Sequence, residues 1–265
     1  MKLNKIKLNG LDFRYRDDDK YIGQRVALGK YEEYETKLML SQLNNNSVVV
    51  DVGANIGYYT LLLSQKCKMV YAFEPDKKCF EILKKNVEKN NLGNVKLFNI
   101  GISDKEEKKY LIRDEDNLGN SKINPSKSPF NKGDLQPANC ERLDDILINE
   151  HKIDLIKIDT QGWEPQVIEG AKKIIKRDSP TLFLEYTPSE YKDKSMINFL
   201  RGIYKNIWSI DYWYYFCRNG INVSKKTGYV DLFLKNKITL GDWINKYKYL
   251  KIKKVIRSIM NYGKN

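Results

Sequence analysis

The sequence predicts an α/β fold, a mostly parallel sheet with helices on both faces, and three observations carry that reading. Val48–Val52 is a short, apolar, β-branched run ending in Asp51-Val52-Gly53, the pattern of a buried strand that reaches a tight turn. Gly53 and Gly57 bracket the turn, and Tyr58–Ser64, apolar and free of Gly and Pro, predicts a helix that starts near Ile56–Gly57 and packs back on the strand. A second strand, Met69–Glu74, then ends in an acid. Strand, glycine turn, helix and acid-terminated strand make a nucleotide-binding unit. Glycine lets backbone approach a ligand closely, and the acid accepts hydrogen bonds from ribose hydroxyls.

The turn reads Gly53-Ala54-Asn55-Ile56-Gly57, one glycine short of the dinucleotide pattern G-x-G-x-x-G, which disfavours pyrophosphate binding and a nicotinamide-dependent dehydrogenase. A chain of 265 residues suits one α/β domain with additions. Its composition, 41% hydrophobic and 31% charged, is that of an ordinary soluble protein rich in Lys. It contains no run of about 18 apolar residues, so no transmembrane helix is expected. The start, MKLNKIKLNG, lacks the apolar core of a signal peptide. Cys67, Cys79, Cys140 and Cys217 stand far apart without a C-x-x-C pair, which suits reduced thiols better than a disulfide frame or a zinc site. A cytoplasmic location is the expectation.

In chain order, Leu3 to Arg16 alternates like one or two short strands with a turn at Asn9-Gly10, and Tyr31 to Leu43 predicts a helix. After the first unit, Asp76–Asn90 predicts a helix with Phe80, Leu83 and Val87 on one face, and Val95–Ile100 the third strand. Glu107–Arg113 predicts another strand. Arg113–Asn139 is polar, with Pro125, Pro129 and Pro137, and predicts a long irregular loop. Leu143–Asn149 predicts a short helix, Asp154–Asp159 the fourth strand, Glu164–Lys176 a helix and Thr181–Tyr186 the fifth strand. Ser189–Tyr204 predicts a further helix, and Ile207–Cys217 with Tyr229–Lys235 a hairpin that completes the same sheet. The run Tyr212-Trp213-Tyr214-Tyr215-Phe216 suits either burial on both faces of its strand or stacking against a sugar or base. His151, the one histidine, precedes the fourth strand and falls at the opposite end of the sheet from any ligand, which directs the search for a general base to carboxylates.

The run DVGANIGYYT followed by FEPD, then Ile156-Lys157-Ile158-Asp159-Thr160-Gln161-Gly162-Trp163-Glu164 and Ile168-Glu169-Gly170-Ala171, resembles the FkbM family of class I S-adenosylmethionine-dependent methyltransferases over roughly Asn9 to Glu185. The chain departs from the usual pattern at Thr160-Gln161 and at Trp163. The resemblance implies a Rossmann-like seven-stranded sheet in the order 3-2-1-4-5-7-6 and S-adenosylmethionine as cofactor. It implies that Gly53, Asn55 and Gly57 form the methionine-side turn with Asp51 in support, that Glu74 holds the ribose, and that Ser103 and Asp104 lie beside the adenine. On the substrate side it implies Glu32 and Glu35, whose other reading is acids favoured in a helix first turn. It also implies a flap carrying Asn117 and Ser121, and a place for Trp163.

Asp159 and Glu185 end neighbouring strands on the ligand edge of the sheet. A sugar hydroxyl that attacks a methyl group must lose its proton, which makes Asp159 the candidate base and Glu185 a helper or hydroxyl anchor. Divalent-metal binding by one or both, or purely structural hydrogen bonding, stays open, and no metal is assigned. Three segments follow: 1–47 as an N-terminal extension, 48–238 as the methyltransferase domain and 239–265 as a basic amphipathic helix. The net charge is +13, and after Asp242 the chain has seven bases and no acid. Leu240–Tyr262 suits an anionic membrane surface, nucleic acid or docking on its own domain. The expected function is methyl transfer to a hydroxyl of a sugar or glycan. A nucleic-acid methyltransferase gripping RNA through residues 243–264 and a non-catalytic membrane or protein adaptor are the alternatives.

Overall fold

The strand β3 (Val48–Val52) lies at the centre of the main sheet, buried on both faces, between the parallel neighbours β4 (Met69–Phe73) and β10 (Leu155–Ile158). The computed structural model describes residues 2–112, 121–123, 135–187, 189, 191, 193–210, 230–242 and 245. Outward from β4 comes β5 (Val95–Phe98), and from β10 come β11 (Thr181–Tyr186), β13 (Val230–Lys235) and β12 (Asn206–Ser209). The first five pair in parallel, and β13 runs antiparallel between β11 and β12. Counting these strands along the chain gives the expected order 3-2-1-4-5-7-6, a Rossmann-like sheet.

Side chains alternate across the sheet, so each face feeds its own core. Val50, Val52, Ile156, Ile158, Leu182 and Leu184 enter one cluster, while Val49, Ala72, Leu155, Phe183 and Phe233 enter the other. The second cluster is covered by α3 (Tyr58–Ser64) and α4 (Lys77–Lys89), and also by an N-terminal layer. That layer comprises the hairpin β1 (Leu3–Leu8) and β2 (Leu11–Arg16), then α1 (Gly23–Ala27) and α2 (Glu33–Leu40). Asn9 and Gly10 both take positive φ at the hairpin turn, as expected for an Asn-Gly pair. Asn86 on α4 and Asn90, the residue that ends it, dock this hairpin. Asn90 exchanges hydrogen bonds of 2.8 Å with the backbone of Asp12, and Asn86 accepts from the Arg14 amide at 2.7 Å. The Asn86 amide donates to the carbonyls of Arg14 at 3.0 Å and Ile56 at 2.8 Å, so one buried side chain ties the N-terminal layer to the glycine turn.

Several elements depart from the sequence expectation. The stretch read as an irregular loop contains β8 (Lys122–Ile123) and β9 (Leu135–Glu141). With β6 (Gly101–Ile102) and β7 (Glu107–Ile112) they form a second sheet of order β6-β9-β7-β8. Pro137 fits because β6 pairs β9 only at Cys140 and Glu141, leaving one side of the strand open at the proline. The helix expected over Glu164–Lys176 is two, α6 (Glu164–Gly170) and α7 (Lys172–Asp178). Gly170 passes so close to the Ser103 carbonyl that a Cβ would lie 1.9 Å from it. The buried carboxylate of Asp144, in α5 (Leu143–Ile146), accepts from the amides of Lys173 and Ile174 and caps the new helix start. The helix expected from Ser189 begins as α8 (Ser195–Ile203), where Asp193 accepts from the Ser195 amide at 2.7 Å. The aromatic run 212–216, Cys217, Asn117 and most of the basic segment 243–264 lie outside the described residues. Among the described residues Cys67, Cys79 and Cys140 are buried free thiols, and no helix is long and apolar enough to cross a membrane.

Removing the Asn86 side chain strands the Arg14 amide and two carbonyls away from water. Asn86→Ala is expected to cost about 2–4 kcal/mol in urea unfolding. Asn90→Ala, at a more exposed position, is expected to cost about 1 kcal/mol. Equal, small losses would show that the N-terminal layer is not anchored through Asn86.

Candidate functional site

Where β3 ends, the chain turns without a regular element, and its backbone groups must find partners one by one. The amides of Gly53 and Ala54 both donate to the Phe73 carbonyl at 3.0 Å, and the Gly57 amide to Ala54 at 2.9 Å. Gly53, Asn55 and Gly57 all have positive φ. A Cβ on Gly53 would lie 1.9 Å from the Asp159 carbonyl, and one on Gly57 would lie 2.6 Å from Leu83. The two glycines therefore serve different contacts: Gly53 lets β3 and β10 end side by side, and Gly57 lets α3 pack on α4.

Glu74 follows β4 and closes the turn. Its carboxylate accepts from the Asn55 amide and from the Asp76 amide, each at 2.7 Å. Burial pushes Glu74 up, the two amides pull it back, and the balance lies at about 8. Each oxygen keeps a second lone-pair direction for a ligand.

Beneath the turn sits a lysine that the sequence reading left without a role. Lys157, on β10, stands in register with Asp51 on β3. Its ammonium donates to the Gly53 carbonyl at 3.0 Å and lies 3.5 Å from Asp51 and 3.7 Å from Asp159. Burial works against its charge, but Asp51, Asp159 and Glu32 outweigh that and hold it up at about 12. The other oxygen of Asp51 accepts from Thr60 at 2.7 Å.

Beyond β10 the chain forms a second tight loop, with positive φ at Gln161 and Gly162. The buried Glu164 organises it by accepting from the amide and hydroxyl of Thr160, the Gly162 amide and the Tyr191 hydroxyl. The loop presents the Gln161 side chain, which donates to Asp159 at 2.8 Å and to Glu185 at 3.1 Å. Burial, then the charge of Asp159, pushes Glu185 well above the ordinary carboxylate range. Burial therefore favours the protonated, hydrogen-bond-donating form of Glu185. Across the opening, Glu32 accepts from the Tyr59 hydroxyl at 2.6 Å in a left-handed backbone conformation. Its surface stays open to the cavity, yet the surrounding protein desolvates it and raises it to about 7.

These groups line one cavity of about 450 Å³, within the range that holds drug-sized ligands. Its wall includes Val52–Ile56, Glu74, Ile100–Ile102, Ser121 and Ile123, together with Tyr31, Glu32, Glu35 and Tyr59 and, from the ends of β10 and β11, Asp159, Gln161 and Glu185. Of the expected residues, Gly53, Asn55, Glu74, Ser121, Glu32, Glu35, Asp159 and Glu185 come together there. Asp51 and Gly57 stand behind the wall and do not line it.

Ser103 and Asp104 are displaced from the expected adenine position. After Ile100 the chain enters β6 and pairs with β9, so Ser103 is buried against Gly170, its hydroxyl bonded to Asp104 at 3.1 Å and Glu107 at 3.4 Å. Ile100, Gly101 and Ile102 line the cavity, and Ser103 and Asp104 do not. Trp163, expected near the substrate, is buried in the core with the Lys109 ammonium over its ring at 5.5 Å. Lys157, Gln161, Tyr31 and Tyr59 were missed, although a lysine inside an apolar strand is itself a signal of a buried partner. Among the described residues no group of three or more His, Cys, Asp or Glu is arranged to hold a metal ion.

An adenosylated amino acid fits this cavity. Among the described residues the Ser121 hydroxyl in its wall is buried without a hydrogen-bond partner, and Glu74, in the same wall, offers unused acceptor capacity.

The family model for the methyltransferase FkbM domain matches residues 51–209. Methyltransferase sdnD of Sordaria araneosa is 26% identical over 162 residues, which are 49% of this chain and 62% of that protein. Methyltransferase 1 of Beauveria bassiana is 29% identical over 147 residues, 48% of this chain and 59% of that protein. The chain thus spans about 60% of the length of these curated relatives. The crystal structure of a methyltransferase FkbM from Methylobacillus flagellatus KT is similar with a TM-score of 0.47 at 18% identity, covering 72% of this chain and 44% of that one.

Raised carboxyl groups bind protons more tightly folded than unfolded. The stability they contribute is complete below about pH 4.5 and is lost as pH rises, for Glu74 through about 8. Glu185 shifts in the same direction. The urea midpoint is expected to fall between pH 5 and pH 8.5, and Glu74→Gln and Glu185→Gln each to flatten the fall. A midpoint that rises over this range would contradict the burial of both groups.

Proposed function

The chain belongs to the FkbM methyltransferase family, and on that premise we propose that it transfers a methyl group to a hydroxyl, of a sugar or glycan. S-adenosylmethionine is the family's methyl donor. The observation that carries the reading is the placement of Glu74 and Asp159 on two sides of one cavity, at the carboxyl ends of strands that flank β3. Glu74, with Gly53 and Asn55, provides the cradle for the nucleoside and the methionine moiety. When bound, the donor supplies a methyl group on a positively charged sulfur.

The remaining chemistry belongs to the chain. A hydroxyl that attacks carbon must release its proton, and Asp159, one oxygen held by Gln161 and a third of its side chain open to the cavity, is the acceptor for it. Glu185, protonated, donates a hydrogen bond to an acceptor oxygen and orients it. Tyr31, Tyr59 and Phe183 add flat apolar surface of the kind that sugar rings pack on. Alignment of donor and acceptor supplies much of the rate in such a transfer.

Calorimetry should find binding of S-adenosylmethionine and S-adenosylhomocysteine to the wild type, weakened about ten- to a hundredfold in Glu74→Ala. Asp159→Asn should leave S-adenosylhomocysteine affinity within about threefold and lower methyl transfer to a glycan hydroxyl about a hundredfold or more. Absence of binding by the wild type in the low millimolar range overturns the reading.

A further inference from the structure

Lys157 lines the cavity between the glycine turn and Asp159. Its neighbours come from every element around it: Asp51 from β3, the Gly53 carbonyl from the turn, Asp159 from the end of β10, Tyr59 from α3 and Glu32 from the entry to α2. The Tyr59 ring centroid lies 5.3 Å from the ammonium. An ammonium has three donors and no acceptor, and three oxygens surround this one. Among the described residues the Asp51 oxygen facing it has no hydrogen-bond partner, so the lysine is its counter-charge. Asp159 is held from two sides, one oxygen toward Lys157 and the other by Gln161, which also reaches Glu185.

We propose that Lys157 is a positioning residue for methyl transfer, coupling the glycine turn that cradles the cofactor to the carboxylate that faces the acceptor and setting the charge balance of the cavity. The inference rests on the methyl-donor reading above. By bonding the Gly53 carbonyl, Lys157 fixes the end of β3 relative to β10, and by facing Asp159 it keeps that carboxylate directed and partly neutralised. Burial raises the cavity acids Glu32, Glu74 and Glu185, so the carboxylates that Lys157 directly offsets are those of Asp51 and Asp159. Without Lys157 the site holds one more uncompensated negative charge and favours a cationic ligand over a neutral one of the same shape.

S-adenosylmethionine and S-adenosylhomocysteine form such a pair, one with a sulfonium and one with a neutral thioether. The test is their dissociation constants by calorimetry at pH 8 for wild type, Lys157→Met, Lys157→Gln and Lys157→Arg, with folding checked by circular dichroism. Lys157→Gln keeps a donor for the Gly53 carbonyl and serves if the Met variant does not fold. The proposal expects the Met and Gln variants to shift the affinity ratio toward the sulfonium ligand by about fivefold or more. The Arg variant should keep the wild-type ratio within about twofold. Equal weakening of both ligands, an unchanged ratio, or failure of both the Met and Gln variants to fold makes Lys157 a stability residue and overturns the proposal. Wild-type protein that binds neither ligand would instead overturn the methyl-donor reading.

Discussion

Asp51 and Lys157 stand opposite each other on adjacent parallel strands in the middle of the sheet, and neither tolerates its place alone. A buried charge without its partner costs several kcal/mol, on the order of 3–5, so the pair fixes the register of β3 against β10. The geometry of the cavity edge follows from that register. It brings Gly53 against the Asp159 carbonyl, at a distance only glycine permits, and it places Asp159 beside the ammonium that Asp51 faces.

From this seam the site is built outward by backbone hydrogen bonds to buried carboxylates. Glu74 gathers the amides of Asn55 and Asp76 on one side, and Glu164 those of Thr160 and Gly162 on the other. Two loops at the carboxyl ends of parallel strands, which have no ladder partners at that point, are thus held by side chains rather than left to solvent. The N-terminal layer completes the enclosure through Asn86, which bonds the hairpin and the turn at once, and carries Glu32 to within a hydrogen bond of Tyr59.

Much of this was legible in the sequence because buried parallel strands read as apolar runs and turns as glycine. β3, β4, β10 and β11 lie within a residue of their expected bounds, and the strand ends alone indicated that Glu74 and Asp159 would face the same edge of the sheet, where both line the cavity. What escaped depended on contacts between residues distant in sequence. The break between α6 and α7 is capped by Asp144, about thirty residues upstream, and β9 became a strand through pairing with β7. Ser103 and Asp104 were misplaced because nothing local reports which way the chain turns after β5. Trp163 went to the core, where its area is best hidden from water, although its position in the motif faces the loop. Lys157 was readable in principle: a lysine in one apolar strand and an aspartate in its neighbour are a buried pair waiting to be matched.

A crystal structure with S-adenosylhomocysteine would show whether Glu74 and Asp159 face the ligand as proposed. The ribose hydroxyls are expected within about 3.2 Å of Glu74, the amino-acid end along Gly53–Asn55 and the sulfur directed toward Asp159. A ligand bound outside this cavity, or seated in it with the ribose away from Glu74, would contradict that placement.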